Sequence, residues 1–79
     1  MATKTQAHAT IHTGETLMKE LIDASKTFER IFNRLVRTEP TSEKYFELLG
    51  DLWAGAELIE TKAADCKEVA DELMDAFPG

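Results

Sequence analysis

The chain has 79 residues and a mass of 8.8 kDa, which is one core's worth of polypeptide and excludes a second independent domain. Nine Lys plus Arg against fifteen Asp plus Glu leave a net charge of −6. That balance repels phosphate backbones and anionic lipid surfaces and so counts against direct binding of nucleic acid or membrane. A single cysteine, Cys66, excludes an internal disulfide. A chain this short buries only about 60 to 65% of its unfolded surface, so it needs a staple, a metal or company to be more than marginally stable.

Residues 1–12 hold two histidines, four threonines or glutamines and only scattered small apolar residues with no period. They read as a flexible N-terminal tail ahead of one helical domain, 13–79. Met1-Ala2-Thr3-Lys4-Thr5-Gln6 lacks the apolar stretch of a signal peptide, no run of about 18 apolar residues exists, and a cytoplasmic protein is expected. A helix start is expected at Thr13, whose hydroxyl can cap the first turn, with Glu15 at the positive end of the helix dipole. Leu17, Leu21, Ala24, Phe28, Ile31 and Leu35 then recur at alternating intervals of four and three, which is one face of a helix. Met18, Ile22, Phe32 and Val36 widen that stripe beyond a two-stranded seam, toward a bundle core.

Thr38-Glu39-Pro40-Thr41-Ser42 is the internal stop, because proline drives the preceding residue out of helical geometry and itself suits a first helical turn. From Tyr45 the apolar and small residues run through Leu49, Leu52, Ala56, Ile59, Ala63, Cys66, Ala70 and Leu73 to Phe77. The fold class expected is all-α: an antiparallel helical hairpin with a long second helix, completing a four-helix bundle as a homodimer. Its rival is a three-helix bundle with a break near 61–65, where Asp65-Cys66-Lys67-Glu68 has the spacing of a capping box. The longer second helix would overhang the first by about 18 Å at 1.5 Å per residue. Leu73, Met74 and Phe77 on that overhang then require cover.

Charge is divided unevenly: residues 13–38 sum to +1 and residues 39–79 to −8. Lys26, Arg30 and Arg34 form one row and Glu39, Glu43, Glu47 and Asp51 another, so folding back at Pro40 is expected to pair them. Asp65, Glu68, Asp71, Glu72 and Asp75 have only Lys67 nearby and could receive a basic partner.

Glu57-Leu58-Ile59-Glu60 and Glu68-Val69-Ala70-Asp71 are the strongest candidates for chemistry, since paired carboxylates on facing helices hold Mg²⁺ against phosphates. Over residues 57–71 the arrangement resembles the carboxylate motif of the all-α nucleotide pyrophosphohydrolases of the MazG type. The resemblance implies a Mg²⁺-dependent nucleotide hydrolase using Glu57, Glu60, Glu68 and Asp71. Only seven residues separate the two segments, however, and on a continuous helix the same carboxylates form a solvated strip opposite the core, which is the reading preferred here. His8 and His12 have helical metal-ligand spacing but lie in the tail with no acidic or thiol ligand among the first fourteen residues, so no metal and no cofactor is expected. Cys66 sits on the apolar stripe and reads as core. Trp53-Ala54-Gly55 resembles the W-x-G turn of the WXG100 type but falls inside a helical pattern, not in a loop, and is set aside.

The sequence thus predicts a non-enzyme: a small acidic helical protein acting as a regulator, inhibitor or adaptor that occludes a partner surface. Partner-binding residues are expected at Trp53, Leu58, Asp71, Leu73, Met74, Asp75 and Phe77, with itself and another protein, one with a basic surface, as partners. The alternatives are the Mg²⁺-dependent hydrolase and a nucleic-acid mimic whose acidic half fills a basic groove.

Overall fold

The computed structural model describes the backbone of residues 2–76 and the side chains of residues 11–76. Two α-helices of 34 residues each, α1 (Ala2–Leu35) and α2 (Glu43–Ala76), fold back on one another as an antiparallel hairpin with extents of 60, 20 and 14 Å. The all-α hairpin read from the sequence is the architecture found.

Its proportions differ from expectation. α1 starts at Ala2, well before Thr13. Ala2, Lys4, Gln6, Ala7 and Ala9 are strong helix formers, and no proline or glycine precedes Gly14, so the helix extends backward through a segment without amphipathic period. The helices are therefore equal in length, and the expected overhang of α2 is absent. Leu73 is half-buried, its Cδ1 3.4 Å from where a Cβ on Gly14 would stand. Phe77 lies outside the described residues. α2 also runs unbroken through 61–65, so the three-helix alternative does not hold. The seam against α1 continues through Cys66, and a cap there would cost the hydrogen bonds of an uninterrupted helix.

The turn is closed by side chains. Thr38 Oγ1 donates to the carbonyl of Arg34 at 2.7 Å, a last-turn acceptor that also takes the Arg37 N–H at 3.2 Å. Ser42 accepts from the Tyr45 N–H at 3.2 Å through its Oγ, which also donates to the Glu39 carbonyl at 2.8 Å. Ser42 is thus the N-cap of α2, and Pro40 lies ahead of the helix, not in its first turn.

The seam is a seven-residue repeat. On α1 it runs through Gly14, Leu17, Leu21, Ala24, Phe28, Ile31 and Leu35, all buried or half-buried, as the spacing predicts. On α2 it runs through Tyr45, Leu48, Leu52, Gly55, Ile59, Lys62, Cys66, Val69 and Leu73. Every second member matches the sequence reading; the others fall one residue earlier. Leu48 is 1% exposed and Leu49 39%. The register is fixed by two close approaches: Gly14 to Val69, and Gly55 to Phe28, whose Cδ1 is 3.3 Å from a Cβ placed on that glycine. The interval between them is the same along both helices, in opposite directions.

The expected pairing of charged rows does not form. Among the described residues the ion pairs are Lys44–Glu47, at 3.8 Å within α2, and Lys62–Glu20, at 2.6 Å between the helices. Residues four apart drift around a helix by about 40° per step, so only one end of each row reaches the seam while the rest turns to solvent. Arg30 donates instead to Thr27 Oγ1 at 3.1 Å.

Candidate functional site

Writing the repeat abcdefg, with Gly14, Phe28, Tyr45 and Ile59 at a, the positions beside the seam on one flank are e and b. In an antiparallel pair the e positions of both helices fall on the same side of the hairpin. That side is rich in large apolar residues on both helices, interrupted by Ser25 at e and by Glu15, Glu29, Glu60 and Lys67 at b. α1 contributes Met18 and Phe32 at e with Ile22 and Val36 at b; α2 contributes Leu49 and Ala56 at e with Phe46, Trp53 and Met74 at b, all exposed. Trp53 is 68% exposed, Met74 64% and Phe46 63%, although their rings and thioether are large enough to dominate any core. The Phe46 ring sits edge-on to Tyr45, centroids 6.3 Å apart. A shallow groove bordered by Phe28, Trp53, Ala56, Ile59 and Glu60 opens at the middle of this face.

The opposite flank is different in kind. Its groove is bordered by Glu20, Asp23, Thr27, Leu58 and Lys62. Lys62 occupies a seam position, lays its stem along the groove and donates to Glu20, which raises its pKa above the ordinary 10.5; the hydrogen bond and the negative charge of Glu20 are the main causes.

Of the residues singled out in sequence, Trp53 and Met74 lie on the apolar face, three heptads apart. Leu58 is exposed but on the polar flank, beside Asp23 and Lys62. Leu73 belongs to the seam, and Asp71 and Asp75 are exposed away from it. The set therefore does not form one patch. Sequence reading also left Phe46, Leu49 and the α1 residues Met18, Ile22, Phe32 and Val36 out of the site. Their signal is the heptad spacing of 18 and 32, of 22 and 36, and of 46, 53 and 74, which runs beside the seam series.

Glu57, Glu60, Glu68 and Asp71 are all exposed on one continuous helix, whereas the pyrophosphohydrolase motif requires two helices facing each other. Among the described residues no three His, Cys, Asp or Glu side chains are grouped to hold a metal ion. Cys66 is a half-buried free thiol on the seam. No helix in the described residues is long and apolar enough to cross a membrane. Comparison with protein families, with curated proteins and with solved structures finds no match.

Proposed function

We propose that the protein works by association: the apolar face shared by α1 and α2 is covered by another polypeptide surface, and the chain acts through that contact as a regulator, inhibitor or adaptor. One observation carries this reading. Phe32, Val36, Phe46, Trp53 and Met74 are all exposed on one side, and burying each would contribute roughly 1.5 to 3 kcal/mol that the hairpin alone forgoes. Scattered exposed leucines such as Leu58 are ordinary; this many large exposed apolar side chains along one side of two helices are not.

A photo-crosslinking residue at position 53, compared with one at position 58, tests the reading in cells producing the protein. Position 53 is expected to join the chain to a discrete polypeptide, whether another copy or a different protein, and position 58 is expected to give much less product. Equal, diffuse products from both positions, or none from position 53, would overturn it.

A further inference from the structure

We infer that the polypeptide covering the apolar face is a second copy of this chain, docked so that α1 of each copy lies over α2 of the other and both turns are at the same end. The inference rests on the association reading above and names its partner. A compact monomer of this mass exposes about 4,800 Å². This chain exposes 6113 Å². The excess of about 1,300 Å² exceeds the roughly 800 Å² that each partner of a standard stable complex buries. One face-to-face contact along the 60 Å length of the hairpin can remove it.

Charge selects the partner and its orientation. The outer rim of the face is the f series. Along α1 it reads His12, Lys19, Lys26 and Asn33; along α2 it reads Glu43, Gly50, Glu57, Ala64 and Asp71, every one exposed. One rim carries only cationic charge and the other only carboxylates, so the face complements a copy of itself. Two hairpins face to face admit two kinds of two-fold axis. An axis along the helices sets the basic rim of each copy on the acidic rim of the other; an axis across them sets like on like. Charge favours the first; either axis leaves every adjacent helix pair antiparallel, as in an up-down four-helix bundle.

The register adds detail. Gly14 meets Val69 and Phe28 meets Gly55, so Lys26 stands level with Glu57, and His12 with Asp71. In the favoured dimer Lys26 of one copy therefore comes beside Glu57 of the second copy, and the reciprocal pair forms by symmetry. On the face itself Glu15 stands within one residue of the height of Lys67, so those two opposite charges also meet between copies. Val36 meets Phe46 in the same way, apolar against apolar, while Ile22 comes level with Glu60 and Glu29 with Trp53, so the complementarity rests on the rims and on the Glu15–Lys67 and Val36–Phe46 pairs.

Sedimentation equilibrium of the full chain tests the partner, and charge reversal tests the geometry. A dimer is expected at micromolar concentration. Lys26→Glu and Glu57→Lys are both exposed changes that leave the seam intact; each alone is expected to weaken the dimer roughly tenfold, since the pair occurs twice, and the double variant to recover most of the affinity. Spin labels on Thr41→Cys in a Cys66→Ala background are expected within about 30 Å of each other across the bundle, against about 50 Å or more if the turns lay at opposite ends. A monomer at hundreds of micromolar, a larger oligomer, distant turns, or single reversals without effect would each overturn the inference. A monomer that still crosslinks from position 53 to a different protein would overturn self-docking alone and leave the association reading standing.

Discussion

Gly14 and Gly50 are both helical glycines, and their surroundings give them opposite roles. A Cβ at position 50 would meet nothing within 4 Å, so Gly50→Ala is expected to stabilise the fold by about 1 kcal/mol through helix propensity alone. A Cβ at position 14 would stand 2.6 Å from Val69 Cγ1, on a branched side chain with little rotamer freedom. Gly14→Ala is therefore expected to destabilise the chain despite its better propensity, because the helices must part locally or Val69 must leave its rotamer. Urea unfolding of the two variants checks the pair, and a gain in stability at position 14 would contradict the close approach. The same scale explains why part of the seam was misplaced in sequence. Apolarity favours Ala56 and Ala63 over Gly55 and Lys62, and extending that register along the helix selects Leu49 and Ala70 over Leu48 and Val69. Packing favours the register of Leu48 and Val69 because the notch at Gly55 receives Phe28 and the Lys62 stem lies flat to reach Glu20.

For each helix, the sequence reveals existence and direction more readily than extent. The α1 stripe from Leu17 to Leu35 and the stop around Pro40 are legible because period and proline are physical constraints on any helix at those positions. The start of α1 is not, because helix propensity without a buried face leaves no periodic trace. The tilt of α2 by one residue matters energetically at Leu48. Leu48→Ala is expected to cost about 2 to 5 kcal/mol, whereas Leu58→Ala, exposed on the polar flank, is expected to stay within about 0.5 kcal/mol. Denaturant midpoints at a fixed protein concentration measure both, and near-equal losses would put the seam elsewhere. The candidate site was legible only in fragments. Trp53 and Met74 stand out as large apolar residues, but placing them with Phe32 and Val36 requires knowing that the two helices pair antiparallel and on which flank.

As a whole the molecule has little interior. Among the described residues the buried apolar ones are Ala24, Leu35, Leu48 and Val69, and the two described helices have no third element over them. If a second copy covers the apolar face as proposed, the fold draws part of its stability from mass action. Thermal unfolding is accordingly expected to rise in midpoint by several degrees when protein concentration is raised a hundredfold. A midpoint independent of concentration, with full helicity retained on dilution, would mean that the hairpin stands alone and that its apolar face is not covered by more of the same chain.

The notches at Gly14 and Gly55 also act as a ratchet stop. Sliding one helix along the other by a heptad would bring Phe28 against Leu48 in one direction and against Lys62 in the other, with no vacancy to accept the ring. Each heptad slip thus sets the Phe28 ring against a filled position in place of Gly55 and removes the close approach at Gly14, so the two notches together hold the hairpin to one alignment.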